Sequence, residues 1–565
     1  MYNSSYFKAD MATGSIVRSI YAPVSISDDI SIPQFMTKFN PDNAKRDKVV
    51  HVDLIREKQL TYGGLREQAG RASWGLKRNM GLKSGDIVCV LVQNSSDFVL
   101  LAHSIWWAGA VISPINPLLT TKDILHCITL VKPTHIAVSA AYNDKVQEAL
   151  GKYDSGVCPQ VFSVLDRINS LKKFPEDIEG QSPHESLPPY DLEGQSSKDV
   201  LASIIYSSGT TGKMKGVKIS HFNHVVNILQ GRNSLPARNN SEQRVIFFAP
   251  YCHIYGLGSV VLNNMWLGNF TCGLPTFDLE TYCQQFGKYR ATMAYLVPPI
   301  VLMLVASDIP KKYDFSALEC MLIAAAPVKK ALQDRIKAVF PQTKIIQGYG
   351  LSECSPSVLV QHESEEEMVG TVGRLLASTE ARLVDPTTSE DVGIGQEGEL
   401  WVRGPQTMMG YIGDKAATDS TFVGEWLRTG DIMVRDKNDN FWVTDRLKEM
   451  IKYKGLQIAP SELEDLLVQH PHVIDAAVCA VYDAAEASEI PLAYVSLVPS
   501  LATAESGRID NVMEEVRRWH DGQVAGYKKL RGGIHHLQVL PKNPSGKILR
   551  RELPARKKEG RVGVL

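Results

Sequence analysis

Two loops far apart in the chain hold the residues best suited to polyphosphate chemistry. One is YSSGTTGKMKGV, Tyr206 to Val217, and the other is PKNPSGKILRREL, Pro541 to Leu553. The first combines small hydroxyl residues, glycines and two lysines, the composition a backbone needs to wrap closely around phosphates. The second presents Lys547 on a Pro/Ser/Gly turn. A phosphate cradle and a separate, movable cation imply nucleotide chemistry at a carboxyl or phosphoryl centre. No GxxxxGK(S/T) spacing occurs in the chain, which disfavours a P-loop kinase or ATPase.

Other residues suit the rest of a nucleotide. QGYGLSE, Gln347 to Glu353, offers the Tyr349 ring as a stacking face for adenine, two glycines for close approach, and the Glu353 carboxylate for Mg²⁺. The same heptapeptide also fits a buried tyrosine beside a helix-capping serine. Asp431, an acceptor-only carboxylate when ionised, suits two vicinal ribose hydroxyls, although alone it fits a surface turn after Thr-Gly. His253 lies between apolar residues, where a satisfied core histidine is the plainer account.

Layered elements must position these groups. Helical periods such as Tyr62 to Met80 alternate with β-branched runs such as Asp86 to Val92, which argues for α/β layers. Asp166 to Asp199, rich in Ser, Pro, Glu and Gly, reads as a surface loop leading into the first motif. The β-branched run Val200 to Tyr206 and the helical spacing of Phe222, Val225, Val226 and Leu229 place that motif in a strand–loop–helix, aiming a helix terminus at an anion. After Asp445 the character changes. Ile451 to Ile458 reads as a hairpin turning at Gly455, and Ser461 with Glu464 forms a capping-box pattern that starts a helix ending near His470. Two apolar strands (473–481 and 492–498), a charged helix (510–523) and a last strand (534–540) complete a small α+β unit.

At 565 residues the chain is too long for one core. The expected organisation is α/β: a large N-terminal domain over 1–444, subdivided at about 199/200, and a small mobile α+β domain over 445–565 with a hinge at 445–448. Lys+Arg of 61 against Asp+Glu of 62 leaves a net charge of -1, which offers no footprint for nucleic acid or an anionic membrane. The nine cysteines are dispersed with no CxxC spacing and read as buried thiols. Phe98 to Leu119, the most apolar stretch, is broken by His103, Gly109, Pro114 and Pro117 and reads as a buried helix then a strand, not a membrane span. A polar N-terminus without a signal-peptide core, and a C-terminus unlike Ser-Lys-Leu, make a cytoplasmic enzyme the expectation.

Five motifs in order resemble those of the adenylate-forming superfamily, most closely its 4-coumarate-CoA ligase-like branch: YSSGTTGKMKGV, HIYGLGS (253–259), QGYGLSE, WLRTGD (426–431) with DRLKEMIKYKGLQIAPSELE (445–464), and PSGKILR (544–550). The resemblance implies that Ser207, Ser208, Gly209, Thr210, Thr211 and Lys215 hold the β- and γ-phosphates. It assigns Gln347, Gly348, Tyr349 and Ser352 to the nucleotide, Glu353 to the metal, and Asp431 and Arg446 to the ribose. By the same resemblance Lys448 is the hinge lysine, Lys452 and Gln457 lie near the adenylate, Lys454 and Gly455 contact CoA, and Lys547 stabilises the charge that builds at the α-phosphate. His253 then orients the carboxylate, while Tyr255, Ser259, Ala324 and Ala325 line the acyl pocket. Met214 stands where the family commonly has proline, Ser352 where it has threonine, Ala324 where 4-coumarate ligases have glycine, and Thr276 where that branch often has a CoA-contacting lysine.

The implied activity is a two-step acid–CoA ligase using ATP, Mg²⁺ and coenzyme A on an aryl, arylalkenyl or fatty carboxylate. PYCHIYGLGS carries no acidic residue to pair a substrate ammonium, so a plain carboxylic acid is preferred to an amino acid. Two alternatives stay open: adenylation with transfer to a separate carrier protein or other acceptor, and a nucleotide-binding scaffold without chemistry. The presence of Glu353, Asp431, Arg446 and Lys547 argues against the scaffold.

Overall fold

The computed structural model describes residues 16–555 except 155, 157, 209–213, 325–327, 329, 363–367, 448, 454–455, 484–487, 503–505, 525 and 543–547. Contacts divide the chain into two compact units. The larger comprises Val17–Ala381 and Val402–Leu427, and the smaller comprises Arg382–Trp401 and Arg428–Leu565 together with the N-terminal residues to Ile16.

Two sheets build the larger unit. Seven strands run in the order Met214–Ser220, Leu201–Ser208, Val111–Pro114, Ile87–Leu91, His135–Val138, Gln160–Val164, Lys173–Phe174, and all are parallel except the first pair. Short apolar strands alternate here with crossover helices at Ser96–Trp107, Thr121–Val131 and Ala140–Leu150, so both faces of the sheet are covered and strands such as IVCVL are apolar throughout. The expected helix and strand within 98–119 are the buried helix Ser96–Trp107 and the strand Val111–Pro114.

The second sheet has nine strands. At its centre Lys344–Gly350, Cys320–Ile323, Met293–Leu296, Arg244–Phe247, Phe270–Gly273 and Val49–Asp53 lie parallel and side by side. Tyr282, Phe286, Leu296, Ile323 and Ile336 are among the fully buried residues of the core on its face. Parallel order places the carboxyl ends of these strands along one edge, where ligands of open α/β sheets bind.

The YSSGTTGKMKGV motif is not followed directly by a helix. Leu201–Ser208 pairs antiparallel with Met214–Ser220 from Ser208↔Met214 to Ser220↔Leu201, and the helix His221–Ser234 begins only after that second strand. In Val217–Ser220 the apolar Val217 and Ile219 alternate with Lys218 and Ser220, a period of two that selects strand over helix. Ser220, its side chain accepting from Asn223 N, is the helix's N-cap. A whole strand therefore separates the end of Leu201–Ser208 from that helix's N-terminus in sequence.

In the smaller unit, residues 431–435 pair with Phe441–Arg446 from Asp431↔Arg446 to Arg435↔Phe441, and the expected hairpin is Ile451–Tyr453 with Leu456–Ile458. Val473–Asp483, Ser488–Leu497 and Ile534–His536 form a three-stranded sheet, packed with the helices Pro460–Leu467 and Ser506–Asp521. The last strand is shorter than 534–540. Ser461 also departs from expectation. Pro460 occupies the first turn with Ala459 as N-cap, and the Ser461 hydroxyl donates instead to Thr444 O (2.6 Å) and Asp445 Oδ2 (3.1 Å). Glu464 is drawn away from the cap because it accepts from Val478 N (2.7 Å) and Arg550 (2.6 Å).

Candidate active site

Within the larger unit, the first and third motifs meet at Glu353. Its Oε1 accepts from the Ser207 hydroxyl at 3.1 Å and from the Tyr411 hydroxyl at 2.9 Å. Lys215 Nζ sits 4.6 Å from the centroid of the same Tyr411 ring, within cation–π range. A hydroxyl and an ammonium from the strands Leu201–Ser208 and Met214–Ser220 thus converge with a carboxylate 146 residues away from Ser207. Both hydrogen bonds recorded for this carboxylate fall on Oε1, and a hard oxygen at Oε2 fits the ligand chemistry of Mg²⁺.

The QGYG segment ends the strand Lys344–Gly350 and turns sharply. Gly348 and Tyr349 pair with Val360 and Leu359, and Gly350 lies so close to the returning chain that a Cβ there would meet Pro356 O at 2.3 Å. Gln347 is buried. Its side-chain oxygen accepts from Val328 N at 2.7 Å, which ties the segment to the loop that follows the neighbouring strand Cys320–Ile323. Ser352 is buried in a single 3₁₀ turn that also carries Glu353.

HIYGLGS forms the start of a helical segment against this turn. A Cβ on Gly258 would stand 3.1 Å from Pro356 Cδ, so this glycine allows the HIYGLGS segment to approach the turn after QGYGLSE. His253 caps the short helix Ile254–Gly256, its Nδ1 accepting from Tyr255 N at 3.2 Å. With Nδ1 accepting, the neutral ring carries its proton on Nε2. His253 is exposed, yet desolvation by the surrounding protein atoms lowers its pKa. Tyr255 packs with Phe247 at 5.7 Å and Tyr295 at 6.0 Å between centroids. Its hydroxyl is buried without a hydrogen-bond partner among the described residues, and burial holds its pKa well above that of a free phenol. Ser259 is half-buried on the next turn, and Ala324 N bonds Leu296 O at 3.2 Å. Phe247 and Ala324 stand at and just beyond the carboxyl ends of their parallel strands, Tyr295 one residue before the end of its own, and Gln347 pairs with Ile323, the last residue of the neighbouring strand.

Within the smaller unit, Asp431 is buried and faces Arg446 across the strand pair. Its turn is held from behind by Glu399, which was not among the expected site residues. Glu399 Oε1 accepts from Gly430 N (3.2 Å), while Oε2 accepts from Trp401 Nε1 (2.8 Å) and from Arg428 Nε (3.1 Å) and Nη2 (3.0 Å). Lys452 and Gln457 are cross-strand partners in their hairpin, and Ser208 ends its strand opposite Met214; only the backbone of these residues and of Arg446 is described. Gly209, Thr210, Thr211, Ala325, Lys448, Lys454, Gly455 and Lys547 lie outside the described residues. Stems of three of these loops are nonetheless defined: Ser208↔Met214, Tyr453↔Leu456 and Lys542↔Ile548. Arg550, three residues beyond Lys547, bonds Glu464 and Val478 O and ion-pairs with Glu449.

Tyr411 was likewise not anticipated. MMGYI shows no chemical pattern of its own, and Tyr411 gains meaning only through pairing with the distant strand Met214–Ser220.

The arrangement has close counterparts. Residues 40–412 match the family model described as AMP-binding enzyme, and residues 462–547 match that of the AMP-binding enzyme C-terminal domain. Peroxisomal OPC-8:0-CoA ligase 1 of Arabidopsis thaliana is 35% identical over 523 residues, 92% of each chain. 4-Coumarate–CoA ligase 1 of Petroselinum crispum is 32% identical over 557 residues, 97% of each. The solved structure of the anthranilate CoA ligase AuaEII with anthranoyl-AMP superposes with a TM-score of 0.82 over 95% of this chain and 99% of that one, at 22% identity, and so shares its fold. Given a sequence match across most of the larger unit and again near the C-terminus, and relatives spanning nearly the whole chain, this protein belongs to the AMP-binding enzyme family.

Proposed function

We propose that the chain is an ATP-dependent acid–CoA ligase. A carboxylate oxygen attacks the α-phosphorus of ATP, the bond to pyrophosphate breaks, and an acyl-adenylate forms. The CoA thiol then gives up its proton and attacks the acyl carbon, and AMP leaves. The observation that carries this reading is the convergence of Ser207, Lys215 and Glu353 around Tyr411. A hydroxyl, an ammonium and a carboxylate in one cluster suit a triphosphate and its cation better than they suit a structural core. When bound, Mg²⁺ would neutralise charge on the phosphate oxygens, and Glu353 is the residue to hold it.

The other residues divide the work. Ser207, Ser208, Gly209, Thr210, Thr211 and Lys215 grip the β- and γ-phosphates, Tyr349 stacks on adenine beside Gln347, Gly348 and Ser352, and Asp431 with Arg446 holds the ribose. Lys547 offsets the negative charge that peaks as carboxylate and α-phosphate meet. Lys452 and Gln457 act near the adenylate. Lys454 and Gly455 serve CoA in the second step, with the pivot between steps at 445–448. His253, neutral because its pKa is lowered, presents Nε2–H to the acid's carboxylate.

The aromatic wall of Phe247, Tyr255 and Tyr295, with the unpartnered Tyr255 hydroxyl, suits an aryl or arylalkenyl acid bearing a hydrogen-bonding substituent better than a plain alkyl acid. Two relatives are named as CoA ligases of OPC-8:0 and of 4-coumarate, which supports a carboxylic acid as the substrate class. A panel of carboxylic acids, incubated with ATP and with either CoA or a phosphopantetheinylated carrier protein, tests the proposal. AMP and an acyl-CoA thioester are expected from at least one aromatic acid. Thioester on the carrier alone, or nucleotide binding without turnover on any acid, would refute it.

A further inference from the structure

We propose that Tyr411 is a positioning residue that aims the Glu353 carboxylate at the metal and keeps it apart from Lys215. The proposal rests on reading Glu353 as the ligand of Mg²⁺-ATP. Three observations carry it.

First, Tyr411 touches both charged groups. Its hydroxyl donates to Glu353 Oε1 at 2.9 Å and its ring lies 4.6 Å beneath Lys215 Nζ. No ion pair joins Lys215 to Glu353, although one ring contacts both. An aromatic spacer between opposite charges leaves the ammonium for phosphate and the carboxylate for the cation, where direct contact would neutralise the two against each other.

Second, the hydrogen bonds on Glu353 are one-sided. Ser207 and Tyr411 both donate to Oε1, which fixes rotation of the carboxylate and turns Oε2 away from them. A charge-assisted hydrogen bond is stronger than a neutral one, so the phenol is a firm anchor.

Third, the backbone gives Tyr411 little freedom. Residues 409–412 run antiparallel to the strand Met214–Ser220 through Lys218 N→Gly410 O (2.9 Å), Met409 N→Lys218 O (2.9 Å) and Ile412 N→Gly216 O (2.8 Å). Tyr411 N donates to Thr418 Oγ1 at 2.9 Å, and Met408 N donates to Glu353 O at 2.9 Å, so ring and carboxylate share one frame. Gly216 permits this close pairing, since a Cβ there would meet Ile412 Cγ2 at 2.7 Å.

The test measures binding of a non-cleavable α,β-methylene analogue of ATP by calorimetry on the full chain, with and without a Mg²⁺ titration. Tyr411→Phe keeps the spacer ring and removes only the hydroxyl. It should raise the Mg²⁺ concentration that half-maximally tightens analogue binding by about tenfold, while metal-free affinity stays within about twofold of the parent. Tyr411→Leu, which also removes the spacer, should weaken metal-free binding as well. A Mg²⁺ midpoint unchanged in Tyr411→Phe, or an equal loss of metal-free and metal-bound affinity, overturns the positioning role. Glu353→Gln separates the two levels of inference. If it retains the full Mg²⁺ response, the reading of Glu353 fails and takes this proposal with it; if it loses the response while Tyr411→Phe does not, only the role of Tyr411 falls.

Discussion

Replacing Glu399 by alanine should loosen the turn that carries Asp431 without touching any ligand-facing atom. The Glu399 side chain is 3% exposed and accepts from Arg428, Trp401 Nε1 and Gly430 N. Deleting it strands the Trp401 and Gly430 N–H groups, at about 1–3 kcal/mol each. The Arg428 side chain is 36% exposed and regains water, so its share is at the low end of ion-pair values, about 1 kcal/mol or less. The sum is about 2–7 kcal/mol, on the order of 5–25 °C in the midpoint of that unit's unfolding transition at about 2–4 °C per kcal/mol. Gly430, at φ 73°, and Thr429, whose hydroxyl donates to Leu400 O, would still shape the turn, so Asp431 is displaced more than lost. A severalfold rise in KM for ATP should accompany a smaller change in kcat. Glu399→Gln, which keeps an acceptor for Gly430 but turns its NH₂ toward other donors, should recover only part of the stability. Differential scanning calorimetry and initial rates over ATP concentration measure both quantities. An alanine variant with the parental midpoint and the parental KM would refute this account of Glu399.

Acidification should destabilise the larger unit through its buried histidines. Burial lowers the pKa of His51 to about 4 and of His103, His221 and His224 to about 3. The unfolded chain, with ordinary imidazoles near 6.5, therefore binds protons first. Stability is intact above pH 6.5 and falls as pH drops toward 4, by at most about 2 kcal/mol per histidine at pH 5; an unfolding midpoint that is flat from pH 7 to 5 would contradict this. Lys547→Ala should abolish acid-dependent pyrophosphate release yet still convert supplied acyl-adenylate and CoA to thioester, and equal loss of both half-reactions would contradict the division of labour. Gly350→Ala should weaken ATP binding at least tenfold in equilibrium titrations, because its Cβ would press on backbone atoms of Pro356 and Ser357 at 2.3–3.2 Å and shift Tyr349; parental affinity would show that the turn can yield.

Local pattern made much of this molecule readable in advance. The alternating βα rhythm of 87–138, the buried helix after Phe98 and the hairpin at 451–458 are written in spacings of two and 3.6 within single elements. Ser207, Lys215, Gln347 and Glu353 could be singled out in advance because they sit in compact motifs, and the structure brings Ser207, Lys215 and Glu353 together around Tyr411. What escaped depends on partners remote in sequence. Tyr411 acts through Glu353, 58 residues away, and Glu399 through Arg428, 29 residues away. The helix expected after the phosphate loop begins late because Met214–Ser220 finds a strand partner in Leu201–Ser208, a tertiary preference that overrides the nearby helical spacing. Ser461 carries the residues of a capping box, but Asp445 and Thr444 compete for its hydroxyl and Arg550 for Glu464.

Exchange of labelled pyrophosphate into ATP, in the absence of CoA, tests the central claim most directly. With an accepted acid present, the account predicts acid-dependent exchange that requires Mg²⁺ and disappears in Lys547→Ala. Release of ADP and orthophosphate in place of AMP and pyrophosphate, or the absence of exchange with an acid that the same preparation converts to thioester, would contradict attack at the α-phosphorus.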